Sequence, residues 1–267
     1  MSPPVQGADA PPARRFILVS GIPRAGSSWL MRQVGSLLSH AGLPAAAGTA
    51  AGADRDDDYP SNARGDAEDL RLRAALAAFS AGGTGIRRAK THYYPGSALT
   101  AADCFRVLWI WRDLRDVMAS TCHYALAGPA AGVFGAMPRQ EAFDRVIGMT
   151  LPVALAALRH VSAATLPATS LVVRYERLLA DPEATLVQIN RHLALPLAAA
   201  QLRRVAADHG FARESGRQPG VEDRDSYYRI GTAGNWRQTL PRRQQQLIDS
   251  MAPGLDALQE AVRERYG

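Results

Sequence analysis

The segment Gly21-Ile-Pro-Arg-Ala-Gly-Ser-Ser-Trp29 limits what this chain can fold into more than any other. It follows the apolar, β-forming run Phe16-Ile-Leu-Val-Ser20. It precedes residues 27–39, where Leu30, Val34, Leu37 and Leu38 recur at helical spacing. A glycine-rich turn between a buried strand and a helix is an anion cradle. Glycines let the backbone curl so that successive N–H groups point at one ligand, and the helix N-terminus adds its dipole. The hydroxyls of Ser27 and Ser28 add donors and can cap the helix.

What this loop lacks is equally informative. Gly21 and Gly26 keep the spacing of a nucleotide phosphate loop, but Ser27-Ser28 follows where an NTPase carries Lys-Ser/Thr. The cation stands earlier, at Arg24. The strand expected at residues 105–111 ends in Arg112, where an NTPase often places a magnesium-binding aspartate, although Asp113 is adjacent. A nucleotide that needs no magnesium fits better than ATP. The rival readings are a P-loop-type nucleotide-dependent kinase, which tight binding of ATP with magnesium would favour, and a non-catalytic anion-binding module, which would transfer nothing.

The rest of the chain repeats the alternation. Strands are expected at residues 86–91, 105–111 and 170–174. Helices are expected at 68–79, from near Asp116, at 142–162, at 182–192 after Asp181-Pro182, and at 244–265. Residues 209–235 read as a loop. Strands alternating with helices imply an α/β fold, a three-layer αβα arrangement around a central parallel sheet. Such sheets bind ligands at the carboxyl ends of their strands, and segments 21–29, 90–95, 112–120 and 174–176 all follow strand ends. A single domain over residues 15–267 is expected, after a disordered tail at 1–14. Residues 41–68, with the acidic cluster Asp54-Arg-Asp-Asp-Asp58, read as a mobile loop that is either a lid over the acceptor site or a disordered insertion.

The net charge of +6 suits an anionic ligand or an acidic surface. No dense Lys/Arg run interleaved with aromatics is present, so no nucleic-acid partner is expected. Lys90 is the only lysine. Cys104 and Cys122 have no metal-ligating spacing and read as reduced thiols of a cytoplasmic protein. The N-terminal residues do not read as a secretory signal, no run of 18 apolar residues exists, and no membrane partner is expected. His123, His160, His192 and His209 stand in no functional pattern and read as structural.

Five motifs carry a resemblance. Pro23-Arg-Ala-Gly-Ser-Ser-Trp29 is similar to the 5′-phosphosulfate loop of sulfotransferases that use 3′-phosphoadenosine 5′-phosphosulfate (PAPS). Trp111-Arg-Asp-Leu-Arg-Asp-Val-Met-Ala-Ser120 resembles their 3′-phosphate motif. Lys90-Thr-His-Tyr-Tyr-Pro95 resembles their Lys-Thr-His-x-Pro segment, with one extra residue. Arg174-Tyr-Glu-Arg-Leu-Leu-Ala-Asp-Pro-Glu183 and Arg229-Ile-Gly-Thr-Ala-Gly-Asn-Trp236 resemble the Tyr-Glu-Asp-Leu and Arg-Lys-Gly-x-x-Gly-Asp-Trp motifs. Their order from residue 21 to 236 is the family's order, and the chain looks like a soluble, bacterial-type member. Ile230 replaces a lysine, Asn235 an aspartate, and Arg24 the lysine of animal cytosolic enzymes.

The resemblance implies sulfuryl transfer from PAPS to a hydroxyl or to an amine or amide nitrogen of a small-molecule acceptor, leaving 3′,5′-adenosine bisphosphate (PAP), with no metal. A natural product is one plausible acceptor. His92 is implied as general base, and Lys90 as a group that steadies the sulfuryl or only forms an ion pair. Arg24 is implied at the bridging oxygen, and Arg112 and Ser120 at the 3′-phosphate. Ala25, Gly26, Ser27, Ser28, Arg229, Ile230 and Gly231 are implied as further donor contacts, and Trp29 and Tyr175 at the adenine. The acceptor side would come from loops such as 41–68, 93–100, 124–140 and 209–228, with Tyr93, Tyr94, Tyr124, Phe134, Tyr227 and Tyr228 as candidate walls. Oligomeric state is left open.

Overall fold

The computed structural model describes residues 14–43, 66–82, 85–92, 104–127, 131–223, 226 and 228–266. The tail at 1–13, most of the 41–68 segment, and Tyr93, Tyr94 and Tyr227 lie outside them. The strands are β1 Arg14–Gly21, β2 Gly85–Thr91, β3 Phe105–Trp111 and β4 Ser170–Arg174. The helices before β4 are α1 Ser27–His40, α2 Asp66–Gly82, α3 Leu114–Ala127, α4 Ala131–Phe134 and α5 Arg139–Ala163. After β4 come α6 Tyr175–Ala180, α7 Pro182–His192, α8 Ala199–Asp208, α9 Phe211–Ser215, α10 Trp236–Thr239, α11 Arg242–Met251 and α12 Leu255–Tyr266.

The four strands pair in parallel in the order β2-β1-β3-β4. Alternation along each strand assigns the two faces. Ile17 and Val19 of β1, Leu108 and Ile110 of β3, and Val173 of β4 pack with Leu30, Val34 and Leu37 of α1, Ile189 of α7 and Val205 of α8. On the opposite face, Trp109, Trp111 and Val172 join Val117 of α3, Phe143 and Leu151 of α5, Ile248 of α11 and Val262 of α12. Phe16, Leu18, Phe105 and Val107 extend that face against Leu76 and Phe79 of α2. The sheet is therefore covered on both sides, which is why its two central strands, β1 and β3, read as near-continuous apolar runs, whereas the edge strand β2 carries Arg87, Arg88 and Lys90. The helix α5 is long and apolar enough by composition to cross a membrane, yet its Phe143, Ile147, Leu151 and Leu158 stripe belongs to this core.

The sequence expectations hold for all four strands, with β1 starting at Arg14, inside the expected tail. The helix expected from near Asp116 opens at Leu114. Two other expectations need correction. The expected 244–265 helix is two, because Pro253 lacks an N–H and Gly254 takes φ 78° between α11 and α12. The expected 209–235 loop contains the short helix α9.

Candidate active site

Parallel register sets the carboxyl ends of the strands side by side: Ser20 pairs with Thr91 and Trp109, and Trp111 with Arg174. Residues that follow three of those ends, of β1, β3 and β4, face one cleft, partly open to solvent. Among the described residues it is lined by Arg24, Gly26, Trp29, Arg112, Ser120, Tyr175, Leu179, Phe211, Tyr228, Arg229, Ile230 and Gly231. Four chain segments distant in sequence thus meet at one place.

The loop geometry explains its glycines. The chain turns where Ala25 N donates to Ile22 O at 2.9 Å. Arg24 then takes φ 71° and Gly26 φ 106°, left-handed values that an L side chain adopts at a cost. A Cβ on Gly26 would also stand 2.8 Å from the Tyr175 ring. A Cβ on Gly21 would stand 2.5 Å from Ile110 O, so that glycine lets β1 lie close to β3. The residue before α1 is Gly26, with no side-chain cap, and Ser27 and Ser28 lie within the first turn. The capping role expected of the two serines is thus not realised, because the left-handed glycine makes the entry to the helix.

Three arginines converge on the cleft. Arg24 Nε donates to Ser120 Oγ at 3.1 Å, and its guanidinium lies 4.7 Å over the Tyr124 ring. Arg112 is 7% exposed, donates from Nη2 to Thr232 O at 3.1 Å and lies 4.3 Å over Tyr175. Arg229, also 7% exposed, donates to Glu222 Oε1 at 2.6 Å and to Asn235 Oδ1 at 3.2 Å. The Nε atoms of both Arg112 and Arg229 are buried without an acceptor among the described residues.

The remaining wall is apolar. Trp29 and Tyr175 meet edge to face, with centroids 5.8 Å apart, and the indole N–H donates to His209 O at 2.6 Å. Phe211 and Tyr228 form a second edge-to-face pair. Gly231, at φ 64°, fits beneath Phe211, since a Cβ there would fall 2.2 Å from the ring. Leu179 falls within the Arg174–Glu183 motif without an assigned role and Phe211 within none; the packing of α6 and α9 brings them to the cleft.

Not every anticipated residue lines it. Ala25 and Ser27 are buried in the loop and first turn, and Ser28 Oγ accepts from Lys90 Nζ at 2.7 Å. Lys90 is thus a buried cation bound to the loop helix. His92 follows the end of β2, and its Nδ1 lies 3.1 Å from Gly21 O. A carbonyl only accepts, so this bond fixes the proton on Nδ1 and leaves Nε2 as the basic nitrogen of the neutral ring. Asp113 lies outside the cleft: Arg115 N donates to it at 2.8 Å, and burial pushes its carboxyl above the usual range. The carboxylate beside Arg112 therefore does not supply the cleft with a metal ligand.

The sulfotransferase domain family matches residues 79–255. Solved structures are similar in fold. Mouse sulfotransferase SULT7A1 complexed with PAP is 16% identical at a TM-score of 0.58, over 92% of this chain and 88% of that one. Retinol dehydratase in a complex with retinol and PAP is 19% identical at a TM-score of 0.58, over 90% of this chain and 81% of that one. Comparison with curated proteins gave no match. A family match over most of the chain, on a parallel sheet whose strand ends carry the anticipated loop, is decisive: the chain belongs to the sulfotransferase family, whose PAPS-dependent members its motifs resemble.

Proposed function

We propose that this enzyme transfers a sulfuryl group from PAPS to a hydroxyl or to an amine or amide nitrogen of a small organic acceptor, with His92 as general base. The observation that carries the donor half is the convergence of Arg24 at the loop end, and of Arg112 and Arg229 farther along, with the rings of Trp29, Tyr175 and Phe211 on one cleft at the strand ends. A nucleotide bearing two separate anionic groups and a flat base matches that combination. Arg112, Ser120 and Arg229 would hold the 3′-phosphate, Arg24 and the 21–28 backbone the phosphosulfate, and Trp29, Tyr175 and Phe211 the adenine. PAPS, when bound, supplies an electrophilic sulfur on a phosphate leaving group.

The chain's own work is to position and to move one proton. Arg24 places a permanent positive charge at the turn of the loop, suited to charge that develops there. Lys90, bound to Ser28, adds a second cation at the start of α1. His92 takes the acceptor's proton on Nε2 while Gly21 O holds Nδ1–H, so the imidazolium that forms keeps that bond. Arg112 and Arg229 fix the distal end of the donor, which lets binding energy orient the reacting end. The similar structures carry retinol and androsterone in their own complexes. Small, largely apolar alcohols are therefore the first acceptors to try.

The test is transfer of radiolabelled sulfate from PAPS to a panel of phenols, aliphatic alcohols and amines. Wild-type protein should label at least one class, and His92→Ala should lower its rate by ~100-fold or more, the usual contribution of a general base. A His92→Ala rate equal to wild type overturns the base assignment. Firm PAP binding with no transfer to any acceptor class overturns the enzymatic reading.

A further inference from the structure

The two arginines thought to grip the distal end of the donor sit on different segments. Arg112 follows the last residue of β3, whereas Arg229 belongs to the irregular stretch between α9 and α10. Around Arg229 that stretch is held from within: Gly220 N donates to Ile230 O at 2.8 Å, Asp223 N donates to Arg229 O at 2.9 Å, and Arg217 donates to Tyr228 O and Arg229 O. Its later part, residues 232–236, is tied instead to the start of α3, and two of those ties end on one side chain. Asp116, in the first turn of α3 and 1% exposed, accepts from Gly234 N at 2.6 Å through Oδ2 and from Trp236 N at 2.9 Å through Oδ1. The same Oδ2 lies 3.7 Å from Arg112 Nη2. That nitrogen also donates to Thr232 O, within the same stretch. Gly234 presents its N–H from a left-handed conformation, φ 74°.

A carboxylate beside an anion site needs a reason. It opposes the ligand's charge, and burying it is costly unless every lone pair is used. Two backbone N–H groups, a guanidinium and the N-terminal turn of α3 together supply that compensation. Nothing else about Asp116 serves the cleft, which it does not line. We propose that Asp116 is a positioning residue: it couples Arg112 to the 229–236 segment, so that both cationic walls of the donor site are held as one unit. The proposal rests on the reading that Arg112 and Arg229 bind the 3′-phosphate.

Asp116→Asn keeps the shape but removes the charge, and it sets an amide NH₂ against one of two backbone donors. The experiment is calorimetric titration of the wild-type and Asp116→Asn proteins with PAP and with 5′-AMP, which lacks the 3′-phosphate. The variant should bind PAP ~30-fold more weakly, the order expected for a lost buried charge-assisted contact, and 5′-AMP within ~3-fold of wild type. The loss in Arg112→Met/Asp116→Asn should fall short of the product of the single losses. Hydrogen exchange should report faster amides at Gly234 and Trp236. Equal weakening of both nucleotides, or unchanged PAP affinity, overturns the proposal. If Asp116→Asn does not fold, Asp116→Ser, which keeps one acceptor oxygen, is read the same way. A folded wild type that fails to bind PAP overturns the donor reading itself.

Discussion

Arg24 combines a functional charge with a backbone cost. It holds φ 71° without being glycine, and its guanidinium bonds Ser120 Oγ and covers the Tyr124 ring. A left-handed non-glycine residue costs on the order of 1–2 kcal/mol, which persists only where the side chain is needed. This gives a two-way prediction. Arg24→Gly should be at least as stable as wild type in urea unfolding, because the strain is relieved. It should nevertheless lose ~100- to 1000-fold in turnover, the scale of a lost charge-stabilising group. Arg24→Lys should keep activity within ~10-fold, since the charge survives while the bond to Ser120 is weakened. Wild-type turnover in Arg24→Gly would remove Arg24 from the chemistry.

At the scale of elements, α7 shows two forces opposing each other. Asp181 and Pro182 open it, with Asp181 Oδ1 accepting from Ala184 N at 3.1 Å, and His192 closes it. A helix C-terminus favours a protonated histidine. Here burial dominates, helped by Arg106 and Arg15, and the imidazole pKa falls to about 4. In the unfolded chain it would be near ~6.5. Between those values the unfolded state binds more protons, so stability rises with pH across that window and is lost on acidification from 6.5 towards 4. The whole shift corresponds to roughly 3 kcal/mol at neutral pH. Urea midpoints measured from pH 7 to 4 should fall more steeply for wild type than for His192→Gln. Parallel curves would contradict the burial account.

The elements also show how far the sequence could be read. Strands β1, β3 and β4 were legible because strands covered on both faces carry apolar runs, whereas β2, with Arg87, Arg88 and Lys90, lacks such a run. The helix α7 was legible because its start carries a specific signal. By contrast, α6 follows β4 without a break, and α8, though its Leu202, Val205 and Ala206 share one buried face, spans only ten residues and begins on Ala198, which has no capping side chain. The break between α11 and α12 was written as Pro253-Gly254 yet outweighed by the apolar period on either side. In the cleft, motif residues were legible by spacing. Phe211 was not singled out, and Leu179 and Asp116 stood within motifs without these roles, because the roles arise from contacts between distant segments: Asp116 meets the Gly234 and Trp236 amides across 118 and 120 residues.

For the molecule as a whole, one sheet edge does most of the organising. Parallel pairing delivers the ends of all four strands to the same side, and the connections after β1, β3 and β4 place Arg24, Arg112 and Tyr175 around one cleft. The later 229–231 segment closes it from the far end of the sequence. The resulting site is cationic and aromatic, with Asp113 turned out of it. That combination favours a nucleotide bound through arginine and backbone alone.

The most direct measurement is calorimetric titration of the intact protein with PAP in the presence of EDTA, repeated for Arg112→Ala. The account predicts binding on the order of 1 µM without magnesium, weakened ~100-fold in Arg112→Ala, as expected when a buried charge-assisted contact of about 3 kcal/mol is removed. No binding of PAP in EDTA, together with firm binding of ATP once magnesium is added, would contradict it.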